Sequence, residues 1–290
     1  MAHPSPLTPS VRVYTSARAF LDRAEPWLVR REAEHNLLLG IAHRLTSEEV
    51  LPPDVLLATV EHAYDVVGCV FRTPPYKLGL TPMPDEAISA VADAVAARYD
   101  TLPAVLGPES VARRFAEEWS ARAGVTATPG MRQRSFQARA VRGASEPPPG
   151  GMRVAAPNEL GLIHDWIEAF AADAHVPLHA DVIEQRVADG AFHLWDHDGP
   201  KALAAWSGRT PNGVRIGPVY TPPVWRGRGY GTALTAALTQ KMLDGGRRFC
   251  FLYTDVGNPT SNAIYQRIGY EPVAEVMDVN FSNPDADRDA

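Results

Sequence analysis

The sequence predicts an α/β (α+β) protein in which a mixed central sheet is flanked by helices, arranged as two units. Three observations support this prediction. Short apolar runs that are typical of strands alternate with amphipathic helical segments in both halves of the 290-residue chain. The segment "SEPPPGG" at 145–151 can continue neither a helix nor a sheet ladder, so it marks a boundary. The order of elements in the first half is also echoed in the second, which indicates a duplicated unit.

The composition sets limits on the class of protein. A hydrophobic fraction of 45% and a charged fraction of 21% are those of an ordinary soluble globular chain. The net charge of −6 disfavours a protein that coats nucleic acid, so we expect no nucleic-acid partner. No apolar run approaches the roughly 20 residues that span a bilayer, and the start "MAHPSPLTPSV" does not read as a signal peptide. We therefore expect a cytoplasmic protein without a membrane partner.

Three segments are predicted along the chain. Residues 1–145 form an N-terminal unit and residues 150–282 a C-terminal unit, on either side of the proline-rich boundary. Residues 283–290 are polar and acidic and are predicted to be a flexible tail. The two cysteines, Cys69 and Cys250, each lie in an apolar strand-like run, so we expect buried reduced thiols and not a disulfide.

The elements of the N-terminal unit can be placed from residue 77 onward. Apolar runs predict strands, and segments with helical spacing lie between them. In order they are the strand "KLGLTP", a helix over 84–99, the strand "AVLG", a helix over 109–123 and the strand "RQRSFQARAV". This unit contains no glycine-rich turn after its first strand, so we expect it to be a degenerate copy that binds no nucleotide.

The elements of the C-terminal unit are more sharply marked. After the strand "GMRVAA", helical spacing predicts helices over 157–174 and 181–189, and "FHLWD" and "KALAAWSGR" form a hairpin through "HDGP". The next strand, "GVRIGPVY", contains Pro218, which marks a sheet edge, a bulge or a place where strands part. A helix over 229–244 follows, then the buried strand "FCFLYT", a helix capped by Asn258 and stopped at Gly269, and the last strands in "YEPVAEVMDVNF".

The stretch "VYTPPVWRGRGYGTAL" at 219–234 carries the strongest functional signal. A helix that begins here exposes unpaired N–H groups at the positive end of its dipole. Glycines at alternate positions let the backbone approach a ligand closely, and two arginines add charge and forked donors. Together these features predict a site for a pyrophosphate.

The spacing of the glycines decides between nucleotide-binding motifs. A dinucleotide-binding G-x-G-x-x-G would need a glycine where Thr232 stands, and the chain has no Gly-Lys-Ser/Thr of a P-loop. Arg226-x-x-Gly229-x-Gly231, after a strand that ends in Val-Tyr-Thr, instead resembles the GNAT (Gcn5-related) N-acetyltransferase superfamily. The resemblance covers about residues 150–281, and "RIGPVYTPP…YTD…NPTSNAIYQRIGY" resembles a two-unit branch of that superfamily.

The resemblance implies a GNAT fold, in tandem with a degenerate N-terminal GNAT-like unit, and a site for acetyl-CoA or coenzyme A. In that superfamily the strand before the motif splays from its neighbour and pairs with the pantetheine arm, while the turn binds the pyrophosphate. Carried over residue by residue, the cofactor-binding set is Val219, Tyr220, Thr221, Arg226, Gly227, Arg228, Gly229, Tyr230, Gly231, Thr232, Asn258 and Ser261.

Two tyrosines are the candidate catalytic residues. Asn258, Asn262 and Tyr265 follow i, i+4, i+7 spacing and share a helix face. The resemblance implies that Asn258 contacts pantetheine and that Tyr265 protonates the leaving sulfur; a phenol of pKa about 10 can donate to a thiolate. A tyrosine on a helix can also simply pack in a core, and that alternative stays open. A freed N–H near Tyr220 is the candidate oxyanion donor.

The base that deprotonates the attacking amine is not identified by the sequence. Many GNAT members carry a glutamate on the strand before the motif, but "NGVRIGPVY" has no carboxylate. The candidates on the helical region that walls the acceptor site are Glu168, Asp173, His175, His179 and Asp181. Each could equally be a solvated surface residue. We expect no metal, since the chain lacks a ligating cysteine pair and Pro177 interrupts the spacing of His175 and His179.

These observations predict an acyl-CoA-dependent N-acetyltransferase that transfers an acetyl group directly to a primary amine of a small molecule or peptide. Acyl length, the acceptor and the oligomeric state are open, with a homodimer as one candidate assembly. One rival hypothesis is a CoA-binding regulatory or scaffold protein that has lost the chemistry. Another is acyl transfer to an acceptor that is not an amine.

Overall fold

The computed structural model describes residues 8–142, 146–174, 176 and 182–283. The helices are α1 (Ala17–Leu28), α2 (Asn36–Arg44), α3 (Ile88–Ala96), α4 (Glu109–Ala123), α5 (Leu160–Ala174), α6 (Ile183–Ala188), α7 (Tyr230–Asp244) and α8 (Pro259–Ile268). The strands are β1 (Ser10–Tyr14), β2 (Leu56–His62), β3 (Asp65–Arg72), β4 (Leu78–Leu80), β5 (Ala104–Gly107), β6 (Thr126–Ala138), β7 (Gly151–Val154), β8 (Phe192–Asp196), β9 (Pro200–Ser207), β10 (Gly213–Tyr220), β11 (Phe249–Asp255) and β12 (Glu271–Ser282).

The chain divides into two compact units. Unit 1 comprises residues 1–135, 255–257 and 273–290, and unit 2 comprises residues 136–254 and 258–272. Residues 136–142 thus group with unit 2, ahead of the proline-rich segment, and residues 273–283 of β12 group with unit 1. The domain limits predicted from the sequence, 1–145 and 150–282, stay predictions. The tail 284–290 lies outside the described residues.

Unit 1 is built on a mixed sheet. Strands β1 to β4 pair antiparallel with their neighbours in chain order, β4 pairs with β5 in parallel, and β12 pairs antiparallel with β5. One core lies between the sheet and α3 and α4, where Phe115 and Trp119 are fully or almost fully buried. A second core lies against α1 and α2 around Phe20, Leu38 and Leu39. Apolar side chains therefore cover both faces of this sheet.

Unit 2 is also built on a mixed sheet. Strands β7 to β10 pair antiparallel in chain order, and β10 then pairs with β11 in parallel. One core packs α7 and α8 on the sheet around Leu234, Leu238 and Tyr270. The other packs α5 and α6 on the opposite face around Ile163, Phe192 and Leu203. The two faces of β10 therefore point to different helix pairs.

Most predicted elements are confirmed. Helix α4 has the predicted limits, α7 begins after Gly229, and Asn258 and Gly269 cap the two ends of α8. Strand β6 begins at Thr126, before the predicted "RQRSFQARAV", and the last segment forms one long strand. The sequence analysis assigned no elements to the region that forms β1 to β3, α1 and α2. Cys69 and Cys250 are free and buried, as predicted. None of the helices among the described residues is long and apolar enough to cross a membrane.

Candidate functional site

Strands β10 and β11 part in the middle of unit 2. They are paired in parallel only at three positions, Gly213 with Phe249, Val214 with Cys250 and Arg215 with Phe251. On its other side β10 stays paired with β9 as far as Tyr220. The edge of β10 that faced β11 is therefore left unpaired after Arg215, so an extended ligand can pair with it as an added strand.

A bulge in β10 coincides with this opening. The register with β9 shifts between Ile216 and Val219, and the intervening Gly217–Pro218 peptide is cis. Because one inserted residue reverses which side of the sheet the following side chains face, Val219 joins the core beneath α7 and α8. Tyr220 instead lies on the α5 side, where its ring is 6.1 Å from that of Trp166. The predicted splay at Pro218 is thus present as a bulge.

The turn from β10 to α7 needs glycine at two positions. Gly227 has φ +74° and Gly229, the residue before the helix, has φ +81°, both in the left-handed region that other residues rarely adopt. A Cβ atom at Gly227 would meet no atom within 4 Å. At Gly231 a Cβ would lie only 2.8 Å from the Thr221 hydroxyl oxygen. The turn is therefore open to solvent on its outer side and tight against the end of β10.

The two arginines of the turn have different roles. The Arg226 side chain donates to the Thr221 carbonyl oxygen at 2.9 Å and forms an ion pair with Asp173 of α5. Arg226 thereby fixes the turn to α5. The Arg228 guanidinium instead lies 4.9 Å from the centre of the Trp225 ring, with Lys201 on that ring at 4.0 Å. Arg228 is exposed, so its donors are available to an anion at the start of α7.

The remaining predicted turn residues contribute mainly backbone groups. The Tyr230 side chain is buried in the core, edge-on to Trp225, with its hydroxyl 3.3 Å from His197 Nδ1. Thr232, in the first turn of α7, is partly buried. Since the first N–H groups of a helix have no intrahelical partner, the backbone of Tyr230, Gly231 and Thr232 supplies the donors at this end.

Helix α8 presents the predicted asparagine and tyrosine face. The Asn258 side chain accepts a hydrogen bond from the Ser261 backbone N–H at 3.0 Å, so it caps the helix. The Asn262 amide donates to the Asn258 carbonyl oxygen at 2.7 Å. The predicted contact of Asn258 with pantetheine would therefore be made by those of its polar atoms that these two hydrogen bonds do not use.

Tyr265 lies partly buried against aromatic neighbours. Its ring is 6.4 Å from that of Phe136 and 6.1 Å from that of Tyr270. Burial raises the pKa of the Tyr265 phenol to about 12, so the group is protonated at neutral pH. Tyr270, in contrast, shares a hydrogen bond of 2.7 Å with Thr239 and is fully enclosed. The two tyrosines therefore differ in exposure, since the Tyr265 ring is partly exposed and the Tyr270 ring is enclosed.

Two of the five candidate bases lie among the described residues. Glu168 of α5 is exposed, and Asp173 is held by Arg226, which disfavours Asp173 as a base. His175, His179 and Asp181 lie outside the described residues. Among the residues that the structure describes, no group of three or more His, Cys, Asp or Glu side chains is arranged to hold a metal ion.

Two arginines on the α5 and α6 side were not singled out by the sequence analysis. Arg215 of β10 donates to Ser207 Oγ at 3.4 Å, and Arg186 of α6 donates to the Trp206 carbonyl oxygen at 3.1 Å. The signal that could have found Arg215 is a charge inside the otherwise apolar run "GVRIGPVY", because charges are rarely placed in buried strands.

Comparison with known proteins assigns the fold. A family model described as FR47-like protein matches residues 194–277, which include the opened strand, the turn and α8. No curated protein matches the chain.

Three solved structures illustrate the similarity. A GCN5-related N-acetyltransferase from Kribbella flavida is 22% identical, with a TM-score of 0.54 over 77% of this chain and 90% of its own. One from Sphaerobacter thermophilus is 14% identical, with a TM-score of 0.57 over 96% of each chain. A tandem GNAT protein from the clavulanic acid biosynthesis pathway is 12% identical, with a TM-score of 0.52 over 94% of this chain and 98% of its own. The chain therefore has the GNAT fold, as the turn predicted.

Proposed function

We propose that the protein is an acetyl-CoA-dependent N-acetyltransferase that transfers the acetyl group directly to a primary amine. The observation that carries the proposal is the opening of β10 from β11 beside an arginine–glycine turn, with the protonated phenol of Tyr265 on the following helix. The fold alone would not support it, since one fold serves many activities. The arrangement of these three features fits a thioester with a long extended arm and two phosphates.

In this proposal unit 2 holds acetyl-CoA in two ways. The free edge of β10 at Val219, Tyr220 and Thr221 pairs with the amide groups of the pantetheine arm. The backbone N–H groups from Gly227 to Thr232 bind the pyrophosphate, since they point out of a helix N-terminus that carries partial positive charge. Arg228 adds a charged donor, whereas Arg226 acts indirectly by fixing the turn to Asp173 and Thr221. Asn258 and Ser261 border the arm at the start of α8.

The reaction needs a donor for the oxyanion, a proton for the leaving sulfur and an acceptor for a proton of the amine. The neutral amine nitrogen attacks the thioester carbon, and a backbone N–H freed near Tyr220 stabilises the developing oxyanion. The C–S bond then breaks, and Tyr265 donates its proton to the sulfur as the thiolate leaves. The products are the amide and free coenzyme A. The attacking nitrogen loses one proton to water or to a base such as Glu168, the exposed candidate on α5, and the Tyr265 phenolate regains a proton from water, which restores the starting state.

A direct transfer suits this site better than a covalent acyl-enzyme. Cys250 is buried beneath α7, and burial raises the pKa of its thiol to about 12, so the nucleophilic thiolate is scarce at neutral pH. Burial likewise raises the pKa of Cys69, which lies in unit 1. Neither thiol is therefore suited to accept the acetyl group.

The test follows thiol release from acetyl-CoA against a panel of small amines and peptides. The proposal predicts acceptor-dependent release of one thiol per acetylated amine. Tight binding of coenzyme A with no release on any amine would favour the rival, a CoA-binding regulatory or scaffold protein. The absence of a carboxylate on β10 is the feature that favours that rival. A cytoplasmic location, a homodimer and transfer to an acceptor that is not an amine stay hypotheses.

A further inference from the structure

The α5 and α6 side of unit 2 contains two arginines without a carboxylate partner. Among the described residues, no Asp or Glu oxygen lies within ion-pair distance of Arg186 or Arg215; the ion pairs of unit 2 involve Arg153, His197 and Arg226. The Arg215 guanidinium donates to a serine hydroxyl, and that of Arg186 to a backbone carbonyl. These acceptors are neutral, so within the described part of the chain neither arginine is balanced by a carboxylate.

The two guanidinium groups are also close enough to repel each other. Burial, with a further contribution from the charge of Arg215, lowers the pKa of Arg186 to about 10, and burial lowers the pKa of Arg215. Desolvation of a single unpaired charge is unfavourable, and a second like charge beside it adds to that. The pair is therefore an arrangement that a bound anion would stabilise.

Arg153 in the same unit is a half-buried arginine that is paired with carboxylates. Its guanidinium contacts Glu159 at 2.7 Å and Asp196 at 2.7 Å, so two carboxylates of this chain balance it. These hydrogen bonds raise its pKa, in contrast to Arg186 and Arg215. Among the residues that the structure describes, unit 2 thus pairs Arg153 with carboxylates and Arg186 and Arg215 with neutral acceptors only.

The position of the pair relates it to the reaction site. Arg215 is the last residue at which β10 is paired with β11, so it lies where the two strands separate. Its partner Ser207 is the last residue of β9, and a Cβ atom at the following Gly208 would meet the Arg215 guanidinium at 3.2 Å. Arg186 approaches the same side of the sheet from α6, and its guanidinium lies 4.8 Å from the centre of the Phe192 ring. The pair therefore lies on the α5 and α6 side of the opened strand.

We propose that Arg186 and Arg215 bind an oxyanion on the acceptor, so that the acetylated substrate is an amine that also carries a carboxylate or phosphoryl group. Two forked guanidinium groups suit the planar oxygens of such a group, which they can bind with charge-assisted hydrogen bonds. The inference depends on the proposed acetyltransferase function and adds the class of acceptor to it.

The test compares acceptors that differ only in charge. Alanine, its amide and 1-aminoethylphosphonate offer the same amine with a carboxylate, a neutral amide and a phosphoryl group; longer matched sets extend the range. We expect kcat/KM for an anionic acceptor to exceed that for its amide at least 10-fold. The carboxylate and phosphonate arms then show which oxyanion is preferred.

Substitutions of the two arginines test whether they cause the preference for anionic acceptors. Arg215→Gln and Arg186→Gln should each raise KM for the anionic acceptor at least 10-fold, with little change for the amide or in KM for acetyl-CoA. Arg209→Gln is the matched control, because Arg209 is exposed, stacks on Trp206 at 4.5 Å and should leave every constant unchanged. An equal fall in kcat for anionic and neutral acceptors in Arg215→Gln would overturn the inference and assign Arg215 to the thioester instead.

A binding measurement separates failure of this inference from failure of the proposed function. Thermal stabilisation of the acetyl-CoA-saturated protein by alanine or the phosphonate, against the amide, requires no turnover. Stabilisation by the anionic compounds that is lost in Arg186→Gln supports the inference even when no thiol is released. Equal stabilisation by anion and amide, in wild type and variants that melt cooperatively, overturns it whether or not neutral amines are acetylated.

Discussion

The turn from β4 to α3 in unit 1 and the turn from β10 to α7 in unit 2 occupy the same place in two similar layouts. In each unit a strand with an antiparallel neighbour before it and a parallel partner after it leads into a helix. The turn of unit 1 is closed by its own side chains. Thr81 Oγ1 accepts from the Cys69 backbone N–H at 2.7 Å, and Met83 is buried against Gly68. The turn of unit 2 is open and is lined by glycine backbone.

The two turns also differ in charge: the turn of unit 1 is acidic and the turn of unit 2 is basic. Asp85 and Glu86 lie in the first turn after Pro84 in unit 1, where they neutralise the positive end of the helix. Unit 2 has no acidic residue in the first turn of α7 and carries Arg226 and Arg228 just before it. The comparison teaches that a shared backbone layout does not make an anion site. We propose that an anion site needs both an open turn and an unneutralised helix end; of the two turns compared, that of unit 2 combines them.

The largest expected effect tests the chemistry proposed for unit 2. Tyr265→Phe removes the proposed proton donor, and kcat for thiol release should fall about 100-fold or more, as is usual for loss of general acid catalysis. The dissociation constant for coenzyme A should stay within about 2-fold, because the phenol acts on the sulfur and the turn binds the phosphates.

Tyr99→Phe in unit 1 is the control for this change. The Tyr99 hydroxyl donates to the Asp54 carbonyl oxygen at 2.7 Å, so its loss should lower stability by about 1 kcal/mol and leave kcat unchanged. If Tyr265→Phe kept full kcat at every acceptor concentration, Tyr265 would be a packing residue only.

The next effect tests how tightly the two strands that lead into these turns, β4 and β10, are packed against a neighbouring strand. A Cβ atom at Gly79 of β4 would lie 2.1 Å from the Phe71 ring, and one at Gly213 of β10 would lie 2.4 Å from the Phe251 ring. Each alanine substitution should therefore destabilise its unit by about 1–3 kcal/mol in denaturant unfolding, since a packed ring must move. Gly213→Ala should have the larger effect, because Phe251 is 0% exposed and Phe71 is 8% exposed. A neutral Gly213→Ala would show that this strand is less tightly packed than described.

A charge change at each turn sharpens the comparison directly. Arg228→Glu places a carboxylate beside the proposed pyrophosphate site, and the dissociation constant for coenzyme A should rise about 10-fold or more, equal to about 1.4 kcal/mol. Glu86→Arg, at the exposed acidic turn of unit 1, is the matched reversal and should leave that constant unchanged. Equal stabilisation of wild type and Arg228→Glu by coenzyme A in thermal melts would refute the role of Arg228.

The smallest expected effect concerns acid stability. His193 of β8 is buried beside Lys241 Nζ at 3.0 Å, and burial with that charge lowers the pKa of its imidazole to about 4 from 6.5. The unfolded chain therefore binds more protons than the native chain between pH 6.5 and 4, so stability falls as pH falls through this window. From pH 6.5 to 5.5 the loss should be about 1 kcal/mol. His193→Gln keeps an acceptor for Lys241 and should flatten that part of the profile; an unchanged profile would contradict the assignment.

The sequence predicted the turn because its signal is local. Gly227 and Gly229 require a backbone that other residues avoid, and Asn258 and Gly269 cap α8 through contacts within a few residues. The side-chain partners could not be predicted in this way. The pairing of Arg226 with Asp173 joins residues far apart in the chain and changed the expected role of both. That no carboxylate among the described residues pairs with Arg215 is a property of the fold, which no spacing in the sequence reveals.

The central claim is that coenzyme A binds at the open turn of unit 2 and not at the closed turn of unit 1. Isothermal titration of the full chain with coenzyme A, in wild type and in Arg228→Glu, tests this most directly. The account predicts one binding site per chain in wild type and a clear loss of affinity in the variant. Two sites per chain, or one site whose affinity Arg228→Glu does not change, would contradict it.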